Sequence, residues 1–175
     1  MGAAFVVRPA DVDETVAAGE DAAAYLERVV LAKLGAARAA HHPDAPKFIL
    51  VADTTVTLDG ELLGKPANVD EATAFLLRLG GRTHAVRTRF ALGHVDEAAP
   101  RVAQTVETQM VFRAIGEARA RAYAETGEGL DKAGGYAVQG GAAKFVARID
   151  GSYTNVVGLP ACEVALALES ALLLA

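Results

Sequence analysis

Asp53 directly follows the apolar run Phe48-Ile49-Leu50-Val51-Ala52. A carboxylate at the carboxyl end of a strand can meet a metal ion or a substrate, or it can cap the turn into Thr54. Lys33 lies seven residues after Leu26, four after Val29 and three after Val30, which puts it on the apolar stripe of its own helix. There it either snorkels to the surface or points into a wet pocket. Lys65 sits between Gly64 and Pro66. An ammonium on a stiff loop suits a phosphate, and it equally suits a plain surface turn. The run Leu130-Asp131-Lys132-Ala133-Gly134-Gly135-Tyr136-Ala137-Val138-Gln139-Gly140-Gly141 brings glycines that admit close backbone approach and backbone N–H groups that can cradle an anion. In it Lys132 supplies charge, Asp131 a carboxylate for a metal or for orienting Lys132, and Gln139 a donor and an acceptor for a base edge.

These residues need elements to hold them. Helical spacing predicts a helix from about Glu20 to Ala40, broken at His41-His42-Pro43. The continuous apolar run from Lys47 to Ala52 predicts a strand covered on both faces and ending at Asp53. Asp59-Gly60 between Thr55-Val56-Thr57-Leu58 and Glu61-Leu62-Leu63 predicts a two-residue hairpin. Asn68, with Glu71 as capping-box partner, opens a second helix that stops at Gly80-Gly81. Alternation predicts two long strands, one through Val86, Thr88, Phe90 and Leu92 and one through Val102, Val106, Met110 and Phe112. A helix from about Gly116 to Thr126, a strand at Lys144 to Ile149 and a last helix from about Leu159 complete the chain. The expected organisation is one domain over residues 1–175.

Composition narrows the class. With 52% hydrophobic and 22% charged residues the chain carries enough apolar surface for a packed core. A net charge of −5 argues against a nucleic-acid backbone binder and leaves an anionic small-molecule ligand open. The single Cys162 excludes an intrachain disulfide and a multi-cysteine zinc site, and its apolar surroundings predict a buried thiol. No signal peptide or membrane span is evident, so the chain reads as cytoplasmic.

Seven motifs then occur in a telling order: Asp53-Thr54, Leu58-Asp59-Gly60, Gly64-Lys65-Pro66, Gly81-Arg82-Thr83-His84, Leu130 to Gly134, Val138-Gln139-Gly140 and Asn155-Val156-Val157-Gly158-Leu159-Pro160. The chain resembles Maf-type proteins, nucleotide pyrophosphatases once described as septum-formation inhibitors, from Asp11 to the last helix. The resemblance implies an α/β fold: a twisted mixed β-sheet with flanking helices, in two lobes around a cleft. It implies hydrolysis of a nucleoside triphosphate to the monophosphate and pyrophosphate, with Mg²⁺ or Mn²⁺ as cofactor. Asp53 matches the catalytic carboxylate, binding metal or taking a proton from water, and Glu14 looks like a second metal ligand. Lys33, Lys65 and Lys132 match lysines that neutralise the polyphosphate, which favours the pocket for Lys33. Asp131 goes with the substrate-binding set. Thr54 and Gln139 match positions associated with substrate choice, and the Asp-Thr pair resembles the branch acting on dTTP and UTP, or on modified nucleotides. The resemblance also allows a homodimer.

Two departures stand beside it. Family members begin with a strand, a Ser-x-Ser-Pro-Arg-Arg-type loop and a helix, about twenty to twenty-five residues with no counterpart after Met1. Either the start is misassigned or the chain is a truncated form with impaired activity, and the alternative function is then a nucleotide-binding regulatory protein related to cell division. Arg89 stands where the family usually has glycine, where it could line the pocket or block it. His84 is expected to make structural hydrogen bonds.

Overall fold

The computed structural model describes residues 5–173. Phe5, Val6 and Val7 are exposed and belong to no strand, and Ala4 lies outside the described residues. The first helix, α1 (Ala22–Ala39), begins where the Asp21 carboxylate accepts hydrogen bonds from the amides of Ala23 and Ala24. The strand predicted to stop at Asp53 does not stop. β1 (Phe48–Leu58) runs straight through it, because Thr55, Val56 and Thr57 are β-branched and keep the strand's alternation. Asp59 (φ 54°) and Gly60 (φ 83°) turn it into β2 (Glu61–Leu63), as a two-residue hairpin with two positive φ angles requires.

Helix α2 (Val69–Leu79) is capped by Asn68, whose Oδ1 accepts from the Glu71 amide at 3.0 Å. Glu71 reaches back to the Ala67 amide at 2.7 Å, one residue before the position a capping box would use. The long strands are β3 (Thr83–His94) and β4 (Val102–Phe112), followed by α3 (Glu117–Ala124) and β5 (Val146–Asp150). The expected last helix is α5 (Ala161–Ser170), and a short helix that was not expected, α4 (Tyr153–Val157), precedes it and ends at Gly158 (φ 121°).

The five strands form one sheet in the order β2-β1-β3-β4-β5. The α/β class is as expected, but every described pairing is antiparallel where a mixed sheet was expected. The rule that places ligands at the carboxyl ends of parallel strands therefore does not explain Asp53, which lies in mid-strand opposite Arg89.

One face of the sheet carries α1, whose Val30 and Leu34 pack on Ile49, Val51 and Ala91. Burying each such side chain contributes about 1.5–3 kcal/mol. The opposite face carries two apolar clusters. The larger sets Val56, Val86, Met110 and Phe112 against Leu76 and Leu79 of α2 and Tyr123 of α3. The smaller sets Phe90 and Leu92 against Val164 and Ala167 of α5. Between them on that face lies a polar seam of Thr54, Thr88 and Asn155. Cys162, predicted buried, is exposed, because α5 turns Val164 and Ala167 inward and leaves Cys162 on the outer side. Among the described residues no helix is long and apolar enough to cross a membrane.

His84 is structural, as expected. It is buried, its Nε2 lies 2.8 Å from the Tyr136 hydroxyl, and its ring meets Phe112 edge-on. Burial pushes its pKa down from 6.5 to about 4. Between those values the unfolded chain binds a proton that the folded one refuses, so stability falls as pH drops from 6.5 toward about 4. The displacement corresponds to about 3 kcal/mol. Urea midpoints of the wild type should therefore fall more steeply between neutral and pH 4 than those of His84→Gln. Parallel pH dependences would exclude this role.

Candidate functional site

The outer edge of β1 organises the site. β2 pairs with β1 only from Val56 to Leu58, and among the described residues no strand covers that edge before Val56. Successive side chains of β1 point to opposite faces, so Asp53 faces α1 and Thr54 faces the polar seam. Two cavities open at this edge. One, of about 270 Å³, is lined by Asp53, Thr54, Lys65, Asp131, Lys132 and Gln139, with apolar walls from Val56, Val86, Val138 and Val157. The other, of about 260 Å³, is lined by Glu14, Tyr25, Asp53, Thr54 and Lys65.

On the α1 side four charged groups interlock. Lys33 Nζ donates to Asp53 Oδ1 at 2.6 Å and contacts Glu14 Oε1 at 2.7 Å, and Lys65 Nζ donates to Glu14 Oε2 at 2.6 Å. The two carboxylates thus lie within two hydrogen-bond lengths of each other, and the quartet is neutral overall. Lys33 is a pocket-side residue and does not snorkel: its side chain is 15% exposed and that of Asp53 12%. Lys33 lines neither cavity and stands behind the carboxylates.

Burial pushes the Asp53 carboxyl above its ordinary value even though Lys33 pulls it back. Glu14, less buried, is held low by its hydrogen bonds to Lys33 and Lys65. For Lys33, burial works to lower the pKa, but the bonds to Asp53 and Glu14 outweigh it and leave it raised. Tyr25, packed beside these carboxylates, is pushed up to about 12, first by burial and then by the charge of Asp53.

Glu14 is brought here by a clamp that the sequence does not announce. Arg28 of α1 donates to the carbonyls of Asp13 (3.3 Å) and Thr15 (2.9 Å) and pairs with Glu20 at 2.7 Å. The acidic segment is thus tied to the helix that carries Lys33. The only hint in the sequence is that Arg28 and Glu20 are eight residues apart, near two turns of helix.

The glycine-rich stretch is built, not loose. The Gly134 amide donates to the Gly64 carbonyl at 3.0 Å, which ties this stretch to the loop of Lys65. Gly134 has φ 72°, and a Cβ on it would stand 3.0 Å from the Val56 side chain, so only glycine fits. Tyr136, Ala137 and Val138 are buried, and the Ala137 amide donates to the Tyr123 hydroxyl at 2.9 Å. Lys132 pairs with Asp131 at 2.7 Å, which lowers the Asp131 pKa, so Asp131 orients the lysine. Gln139 is exposed at the mouth of the larger cavity.

Arg89 lines neither of these two cavities. Although it is registered opposite Asp53, its guanidinium reaches away to Thr105 (3.1 Å) and Glu27 (3.7 Å). Among the described residues no group of three or more His, Cys, Asp or Glu side chains is placed to hold a metal ion.

The arrangement offers a raised carboxylate, a second carboxylate, lysines on stiff loops and an apolar slot with a polar floor. The model of the Maf-like protein family matches residues 1–171. The dTTP/UTP pyrophosphatase of Desulfotalea psychrophila is 46% identical over 94% of this chain and 82% of its own length. That of Myxococcus xanthus is 48% identical over 95% and 82%, and that of a Geobacter species 44% over 96% and 85%. With the motifs, the cavity they line and these similarities along nearly its whole length, the chain belongs to the Maf-like protein family.

Proposed function

We propose that this chain is a nucleoside triphosphate pyrophosphatase acting on dTTP and UTP or a modified nucleotide of that kind. The observation that carries the reading is the convergence of Asp53, Lys65, Lys132, Thr54 and Gln139 on one cavity of about 270 Å³. The base enters the slot between Val86, Val138 and Val157 and meets Thr54 and Gln139. The triphosphate lies toward Lys65 and Lys132, over the open edge of β1.

Lys65 and Lys132 are held by the carboxylates of Glu14 and Asp131. Binding exchanges those partners for phosphate oxygens, so the cations are in place before the ligand arrives and little reorganisation is needed. Water attacks the α-phosphorus, the bond from that phosphorus to the bridging oxygen breaks, and pyrophosphate leaves with the electron pair. Asp53 accepts the proton lost by the water. Its raised pKa makes it a better base than an ordinary aspartate, and Lys33 keeps it ionised and aimed.

Asp53 and Glu14 would hold a small hard cation such as Mg²⁺ or Mn²⁺, of the kind bound through one or two protein carboxylates. When bound, such a cation supplies charge neutralisation and lowers the pKa of water.

The test is a pyrophosphate-release assay with dTTP, UTP, CTP and modified nucleotides, with Mg²⁺, Mn²⁺ or a chelator. Release from dTTP and UTP that stops on chelation is the expected outcome. Nucleotide binding with no pyrophosphate from any triphosphate would replace this reading with that of a regulatory nucleotide-binding protein.

A further inference from the structure

From Val12 to Glu20 the chain forms no helix or strand, and most of its side chains are exposed. Three are not. Val12 packs on Tyr25, Leu26 and Val29, Glu14 meets Lys33 and Lys65, and Glu20 meets Arg28. A segment with so few buried contacts opens locally at little cost unless something ties it down.

Arg28 supplies the tie, and all three nitrogens of its guanidinium take part. Nη1 donates to the Asp13 carbonyl at 3.3 Å and Nη2 to the Thr15 carbonyl at 2.9 Å, the residues on either side of Glu14. Nε and Nη2 also donate to the two carboxylate oxygens of Glu20, at 2.7 and 2.8 Å. That carboxylate accepts from the Ala17 amide at 3.0 Å, and Asp13 Oδ1 accepts from the Thr15 amide at 2.8 Å. The loop is therefore closed at both ends around one planar cation. Arg28 and Lys33 lie on the same helix, so α1 fixes both the backbone around Glu14 and the ammonium that meets its side chain.

We propose that Arg28 is a positioning residue that holds Glu14 beside Asp53, so that the two carboxylates are presented together to a divalent cation. The inference rests on the pyrophosphatase reading and deepens it. A lysine carries the same charge, but its donors spread from one point and cannot span two carbonyls and a carboxylate. Shape, and not charge alone, is what the position requires.

The test is Mn²⁺ titration of the full chain, followed by loss of the free-ion EPR signal and, separately, by pyrophosphate release from UTP. Both midpoints should rise about tenfold in Arg28→Lys, the order lost when a group that orients a metal ligand is removed. Glu20→Gln leaves the helix intact and slackens the far side of the clamp, so it should shift them in the same direction by less. Placed in a Glu14→Gln background, Arg28→Lys should leave the release midpoint unmoved, because its effect passes through Glu14. A merely structural role would shift it there as well. An EPR midpoint unchanged by Arg28→Lys, or the same tenfold shift without Glu14, overturns the proposal. A wild type whose Mn²⁺ binding depends on Arg28 but which releases no pyrophosphate supports it and overturns the enzymatic reading instead.

Discussion

Asp53→Asn is expected to reduce pyrophosphate release by about a thousandfold, the order lost when a positioned general base is removed, while leaving nucleotide binding within a few-fold of the wild type. Asparagine fills the same space, and its Oδ1 still accepts from Lys33, so the folded arrangement of α1 on β1 survives. It cannot take a proton from water, and it is a poorer cation ligand. Nucleotide affinity survives because Lys65, Lys132 and the apolar slot are untouched. The checks are single-turnover release of pyrophosphate and equilibrium binding of UTP, measured on the same preparation. Turnover within tenfold of the wild type would remove Asp53 from the chemistry and leave it as a structural partner of Lys33. The pH profile adds an independent test. Burial raises the Asp53 carboxyl above its ordinary 3.8, so the acidic limb of kcat/KM should lie above that value and vanish in the variant's residual activity.

Lys33→Met should be nearly as damaging and should act through electrostatics. The ammonium touches both Asp53 (2.6 Å) and Glu14 (2.7 Å), so its loss leaves two carboxylates side by side with Lys65 on Glu14. Like charges at that spacing raise each other's pKa. The acidic limb of the activity profile should move to higher pH, and kcat/KM near neutrality should fall about a hundredfold.

Stability should fall as well, by about 2 kcal/mol. That is below the 3–5 kcal/mol for breaking a fully buried pair, because the Glu14 side chain remains 31% exposed to water. The pH dependence of that loss has a definite sign. In the wild type Glu14 is held low, so its contribution is present above its ordinary 4.5 and is lost as pH falls below it. In the variant Asp53 loses the ammonium that pulls its carboxyl down and titrates higher still, so its repulsion of Glu14 disappears on acidification. The gap between the two urea midpoints should therefore open as pH rises through the ordinary carboxylate values and be widest near neutrality. Equal midpoints at neutral pH would show that the ion pair is incidental to the fold.

These expectations draw unequally on what the residue order reveals. The hairpin at Asp59-Gly60, the Asn68 cap and the alternation of β3 and β4 are contacts within a few residues, and local chemistry determines them. The apolar run that stops at Asp53 looks like a strand that ends there, yet β1 continues to Leu58. The threonines after it continue the strand while changing only what lines its faces. The exposure of Cys162 is hidden for a related reason: an alanine-rich helix has no strong apolar stripe, so its sequence does not show which side is inward.

The amino-acid sequence by itself determined the inventory: a carboxylate near a buried strand, lysines on stiff loops, a glycine-rich segment with Gln139, and the order of motifs that marks the family. Tertiary structure alone decided how these groups are paired. Thr54 meets Thr88 across 34 residues, Thr88 meets Asn155 across 67, and Lys65 meets Glu14 across 51. Such contacts depend on strand register and helix docking, which the packing of the whole core sets, and on where burial leaves water unable to screen a charge. A linear chain specifies which groups are available, but the direction of a hydrogen bond or the shift of a carboxyl exists only once distant segments have been brought together and dried.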